Sequence, residues 1–169
     1  IDLTNMSQSK LESLKNTPSS AIGTCRYKVS KNDYKQILKI LDKKHIHTFL
    51  YNGGNDSMDT CLKISRLTDH VRVIGIPKTI DNDLALTDHS PGFGSAARYA
   101  AITTMELGLD IRALPIHVSV IELMGRNAGW ITAASSLARR QKGDAPHLIY
   151  MPDRPFIENQ FLEDVDKAW

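Results

Sequence analysis

Apolar side chains recur along this chain at helical spacing in some stretches and in short unbroken runs in others, and the two patterns alternate. Tyr34, Ile37, Leu38 and Leu41 share one stripe behind Ser30, a residue suited to capping, which predicts a helix over 31–44. The run from His45 to Tyr51 reads as a buried strand ended by Asn52-Gly53-Gly54. Met58, Cys61, Leu62, Ile64 and Leu67 mark a second helix, capped by Asp56 or Ser57 and running to Thr68. Residues 71–76 form the next apolar run, stopped by Pro77. After a polar loop, an Ala-rich helix is predicted over 94–109, ending near Gly108. Residues 116–123 and 147–151 predict two more strands around a helix over 128–141, and residues 158–168 predict a last helix.

Strands that alternate with helices able to cover both faces imply an α/β fold: a doubly wound, mostly parallel sheet with right-handed crossovers. No repeat, low-complexity tract or Pro/Gly linker divides the sequence, so residues 1–169 read as a single α/β domain. Residues 1–28 are amphipathic, rich in Ser and Asn, and contain no opening strand. The expectation is an incomplete domain, the central part of a larger chain.

Composition narrows the partners. A length of 169 residues supports a proper core, and 41% apolar with 24% charged residues is neither a disordered nor a membrane-embedded balance. A net charge of +2 gives no reason to expect nucleic-acid binding. No apolar stretch approaches the ~20 residues that span a bilayer, and no basic-then-apolar leader pattern leads to an expectation of secretion. Cys25 and Cys61 lack metal-ligand spacing and read as reduced thiols of a cytoplasmic protein. The partners expected are small molecules.

Three polar loops follow predicted strands, at the edge where open α/β sheets bind ligands. In Gly53-Gly54-Asn55-Asp56-Ser57 the glycines admit phosphate oxygens close to the backbone, and the next helix offers free N–H groups. A tight turn with an Asp cap is the alternative. In Lys78-Thr79-Ile80-Asp81-Asn82-Asp83 two carboxylates repel each other unless a cation or a proton-transfer task occupies them. Lys78 would keep the base ionised and stabilise charge on a transferring group, while Thr79 and Asn82 would hydrogen-bond a sugar or phosphate. A solvated acidic turn remains open as the other reading. In Met124-Gly125-Arg126, Gly125 permits close backbone approach and Arg126 supplies a fork matched to phosphate. Arg26 is a weaker case of the same kind. The histidines show no persuasive metal pairing, and Ser135-Ser136 has no nucleophile elbow around it.

In this order and at these intervals the three loops resemble the phosphofructokinase family, and Thr87-Asp88-His89 with Gly92-Phe93 resemble the segment after its catalytic loop. The resemblance runs from about Gly23 to Tyr150. It implies a glycolytic transferase, a kinase acting on fructose 6-phosphate with Mg2+ as cofactor. It makes Asp81 the base that takes the proton from the C1 hydroxyl. Thr79, Asp81, Met124, Gly125 and Arg126 would contact the sugar phosphate, and Arg126 would also stabilise charge in transfer. Arg26 matches an arginine that faces the phosphoryl donor, and Asp83 would lie near the magnesium. Asn55 departs from the pattern: many relatives carry a magnesium-associated aspartate there, and the neutral amide brings less charge.

The same resemblance speaks to the donor. ATP-dependent members carry glycine at the positions of Asp56 and Lys78. A carboxylate at 56 would repel an α-phosphate, while an ammonium at 78 would reach a shorter diphosphate, which implies the pyrophosphate-dependent branch. An ATP-dependent enzyme and a non-catalytic, sugar-phosphate-binding regulatory subunit are the alternatives; Asp81 speaks against the second. The family's first strand and second half lie outside this sequence, so the stretch is expected to be inactive alone and homo-oligomeric when full length.

Overall fold

The structure, a computed structural model, describes residues 3–17, 20–21, 23–114 and 118–168. The chain divides into two units, Ile1–Ile37 and Leu38–Trp169. In the first, helix α1 (Gln8–Leu14) buries nothing and is held by local pairs: Gln8 donates to Glu12 at 3.2 Å, and Lys15 pairs with Glu12 at 2.6 Å. Helix α2 (Lys31–Lys43) starts directly after Ser30, as its capping signal predicts. The Asp33 carboxylate accepts from the Ser30 backbone N–H at 2.8 Å, the Ser30 hydroxyl at 2.6 Å and the Tyr27 hydroxyl at 3.0 Å. A side chain three residues into the helix thus reaches back to its free donors.

Helix α2 ends in the second unit, where His45 takes a left-handed φ of 53°. Ile46 N–H donates to Leu41 C=O at 2.9 Å and His45 N–H to Asp42 C=O at 3.0 Å. These are the paired bonds of a Schellman cap. Residues 45–47 are consumed by that cap and its exit, so strand β1 is Thr48–Gly53 and begins later than the apolar run suggests. Helix α3 (Asn55–Ser65) then leads to strand β2 (Arg72–Pro77). It ends at Ser65, short of Thr68. The chain tightens there, with Leu67 N–H donating to Ile64 C=O at 2.9 Å, and the Thr68 hydroxyl accepts the N–H groups of His70 and Val71 at 3.2 and 3.3 Å in the turn that follows.

Strands β1 and β2 pair in parallel, from Thr48 opposite Arg72 to Gly53 opposite Pro77. Helix α3 packs on both strands and buries Thr60, Cys61 and Ile64. Gly75 allows this approach: a Cβ there would lie 2.7 Å from Met58 Sδ. The other sheet face leaves Leu50, Ile74 and Ile76 exposed. The α/β class holds, with helices and parallel strands in alternation. Among the described residues the ladder is β1 and β2 alone. Residues 118–123 and 147–151, predicted as strands, carry no ladder bonds, and residues 116–117 of the first lie outside the described residues.

Helix α4 (Phe93–Ala113) runs through Gly108 instead of ending there. A Cβ at Gly108 would lie 2.6 Å from Ala145 Cβ, so this glycine serves close packing and not termination. Helix α5 is short, Trp130–Ala134, and tightens into a 3-10 turn over Ser135–Ala138, where an α-helix over 128–141 was predicted. Two local competitors explain the difference. The Ser135 hydroxyl donates to Thr132 C=O at 2.6 Å. Beyond it, Asp144 Oδ2 accepts from the N–H groups of Arg140 and Gln141 at 3.1 and 3.0 Å, while Arg139 binds the carbonyls of Pro146 and His147. Helix α4 packs on α5 and this turn, and helix α6 (Glu158–Ala168) matches its predicted span. Among the described residues no helix is long and apolar enough to cross a membrane.

Candidate active site

Because β1 and β2 are parallel and in register, both end at the same edge and their turns lie side by side. Lys78 N–H donates to Gly53 C=O at 2.9 Å, one step past the ladder, and Asn52 Nδ2 donates to Ile76 C=O at 3.0 Å. A Cβ on Gly54 would lie 3.7 Å from Lys78 O and 3.9 Å from Thr79 Cβ. The glycine turn and the carboxylate loop therefore touch. Gly53 is required by its neighbour: a Cβ there would meet Ser57 Oγ at 2.0 Å.

The N-cap of α3 is Gly54, not Asp56 or Ser57, and it offers no side-chain cap. Asn55, Asp56 and Ser57 fall inside the first turn instead. There the Asp56 carboxylate meets the positive end of the helix dipole, the place an anionic ligand would otherwise take.

In the second loop Thr79 is buried and its hydroxyl accepts the Asp81 N–H at 3.2 Å. Asp81 and Asp83 are half-buried and Lys78 is exposed. Asn82, between the carboxylates, is buried with φ 53°. Its amide is spent inside the loop, on Asp88 C=O at 3.2 Å and Ser90 N–H at 2.7 Å, so the expectation that it hydrogen-bonds a sugar or phosphate gives way to an internal role. Gly92, with φ 92°, precedes the first residue of α4, and a Cβ on it would lie 3.3 Å from Ile80 Cγ2. His89 lies edge-on to Phe93 at 5.5 Å.

Met124 and Arg126 flank Gly125, and Met124 is exposed. At Gly125 φ is 146° and a Cβ would lie 2.4 Å from Ala128 O, so the position admits no side chain. Among the described residues no hydrogen bond or ion pair links this turn to the other two loops. Arg26 belongs to the first unit, exposed in the stretch without regular structure before α2. Lys78, Arg126, Asp56, Asp81 and Asp83 enter none of the ion pairs among the described residues, which are Glu12–Lys15, Asp59–Lys63, Arg112–Asp144 and Glu163–Lys167.

No group of three or more His, Cys, Asp or Glu among the described residues forms a metal cage. Mg2+ does not need one: it is held by one or two carboxylates and completed by water and phosphate oxygens. Half-buried Asp83 and the Asn55 amide suit that demand in kind. A cavity of about 450 Å3 lies elsewhere, between α4, α6 and residues 118–123 and 145–150; its wall is mainly apolar and includes none of the site residues.

A model of the family described as Phosphofructokinase matches residues 2–169. The chain belongs to the phosphofructokinase family. It is 44% identical to the pyrophosphate–fructose 6-phosphate 1-phosphotransferase of Halomonas elongata, over 99% of this chain and 43% of that protein. The protein of the same name from Xanthomonas campestris is also 44% identical, over 98% of this chain and 42% of its own length. The crystal structure of a pyrophosphate-dependent phosphofructokinase from Marinobacter aquaeolei superposes with a TM-score of 0.85 at 43% identity, covering 99% of this chain and 44% of that one. The chain spans less than half the length of the relatives it matches. The features that sequence reasoning missed are the amide clasp of Asn82 and the packing glycines 75 and 108. An asparagine between two aspartates was the one visible signal for the clasp.

Proposed function

We propose that the full-length protein transfers a phosphoryl group reversibly from pyrophosphate to the C1 hydroxyl of fructose 6-phosphate. The present chain is its central part and needs the remainder of the protein for turnover. Asp81 takes the C1 hydroxyl proton, the C1 oxygen attacks one phosphorus of pyrophosphate, and the bridging P–O bond breaks to release phosphate. Lys78 and Arg126 stabilise charge on the transferring group and the leaving phosphate. Thr79, Asp81, Met124, Gly125 and Arg126 hold the sugar phosphate, and the family resemblance assigns Arg26 to the phosphoryl donor. Mg2+, when bound, would neutralise diphosphate charge, with Asp83 and Asn55 the residues to hold it. A homo-oligomer in the cytoplasm belongs to the same reading.

The observation that carries the donor choice is the Lys78 N–H to Gly53 C=O bond at 2.9 Å, which joins the loop bearing the ammonium to the turn that opens the helix bearing Asp56. A carboxylate in that first turn opposes a third phosphate, and the adjacent lysine compensates a diphosphate. Support also comes from the names of the relatives above. The test is the full-length protein assayed with fructose 6-phosphate and each donor in turn. Turnover with pyrophosphate and little with ATP is expected; turnover with ATP alone overturns the donor assignment.

A further inference from the structure

Asn82 is only 7% exposed, although it stands between the two carboxylates on which the proposed chemistry depends. Both ends of its amide cross the loop. Oδ1 accepts the N–H of Ser90, eight residues on, and Nδ2 donates to the carbonyl of Asp88, six residues on. Ser90 is fully buried, and its own carbonyl accepts the N–H of Phe93 at 3.1 Å, the first residue of α4. A continuous line of bonds thus joins the Asp81–Asp83 pair to a helix of 21 residues. The left-handed φ of 53° at Asn82 turns the chain between the carboxylates, a conformation that asparagine tolerates better than most residues.

Thr79 and Leu84 of the same loop are buried, and the Thr79 hydroxyl accepts the Asp81 N–H at 3.2 Å, while the tip beyond Leu84 is largely open. Leu86 is wholly exposed in a second left-handed conformation, and Ala85, Asp88 and His89 are exposed too. We infer that Asn82 is the positioning residue for Asp81, an inference that rests on the reading of Asp81 as the proton acceptor. Without the clasp the loop regains conformational freedom, and a displacement of ~1 Å in a reacting group costs on the order of 10²-fold in rate. A direct role for Asn82 on the sugar is disfavoured because both its oxygen and its nitrogen are already bonded inward.

In the full-length protein, Asn82→Gly keeps the left-handed backbone and removes both bonds, while Asn82→Asp keeps the acceptor for Ser90 and removes the donor to Asp88. The glycine variant is expected to lose on the order of 10²-fold in kcat with KM for fructose 6-phosphate within about threefold. The aspartate variant, which loses the Asp88 bond and puts a third carboxylate between Asp81 and Asp83, is expected to lose at least about tenfold. A merely structural asparagine would lower the melting temperature and leave kcat of the folded enzyme within about twofold of wild type, which overturns the inference. A rise in KM at constant kcat overturns it as well, in favour of direct sugar contact. Should the glycine variant not fold, an aspartate variant with wild-type kcat is equally decisive against it. Ratios are taken with whichever donor the wild type uses, so failure of the pyrophosphate reading is seen separately. Asp81→Asn, run alongside, tests the proton-acceptor reading by itself.

Discussion

The backbone N–H of Lys78 donates to the carbonyl of Gly53 at 2.9 Å, carrying the β1–β2 pairing one residue beyond the strands. Through that bond the first turn of α3 and the loop of Asp81 become neighbours. On the function proposed above, donor recognition and proton transfer share one wall, and Lys78 serves both.

Changing both Asp56 and Lys78 to glycine removes a like-charge barrier and its compensating ammonium together. The double variant is expected to gain at least about tenfold in kcat/KM with ATP, ~1.4 kcal/mol of transition-state discrimination, and to lose at least as much with pyrophosphate. Steady-state kinetics with both donors check this. Unchanged preference in the single and double variants would mean that these charges do not select the donor.

Asp81→Asn keeps the shape of the side chain and its place beside Thr79 but abolishes proton acceptance. A fall of about 10²–10⁴ in kcat is expected, in keeping with general-base catalysis, with KM for fructose 6-phosphate changed little. Rapid-quench turnover on full-length protein provides the measurement; retention of more than about a tenth of kcat refutes the assignment.

Glycines 54 and 125 make a contrasting pair. A methyl on Gly54 meets only ordinary contacts at 3.7 and 3.9 Å, so Gly54→Ala is expected to change stability by less than about 1 kcal/mol. At Gly125 a methyl would lie 2.4 Å from a backbone oxygen and φ is 146°, so Gly125→Ala is expected to cost about 1–3 kcal/mol. Denaturant unfolding of both variants distinguishes them, and equal stabilities would contradict the geometry.

The Asp33 cap sets a pH dependence in α2. The Ser30 hydroxyl first, then the Ser30 N–H and the Tyr27 hydroxyl, hold the Asp33 carboxyl below its ordinary value of 3.8. A depressed folded-state pKa contributes stability above the unfolded value and loses it as pH falls through the folded one. The stability advantage of wild type over Asp33→Asn is therefore expected to be full above about pH 5 and to fade below about pH 4. Thermal melts of both proteins from about pH 3 to about pH 7 read this out; a gap that widens on acidification would reverse the sign.

What the residue pattern settled by itself was local or periodic. Helices α2 and α6 and the two strands follow apolar spacing, and the three loops follow from glycine, carboxylate and arginine types that few other contexts bring together in that order. Ser30 marked a helix start because its cap is made within the first turn. Tertiary contacts decided the rest. Gly108 looks like a helix end in one dimension, yet Ala145, far along the chain, packs where its side chain would be. The stretch after Ala134 is helical in propensity, yet Asp144 and the carbonyls of Pro146 and His147 draw its backbone and Arg139 away. Asn82 reads as a solvated ligand-binding amide until Asp88 and Ser90 fold back onto it. Propensity and periodicity are sums over side-chain types along the sequence. They register neither the approach of distant Ala145 to Gly108 nor which side-chain-to-backbone bonds close the loops after Ala134 and Asn82, even though those partners lie only a few residues away.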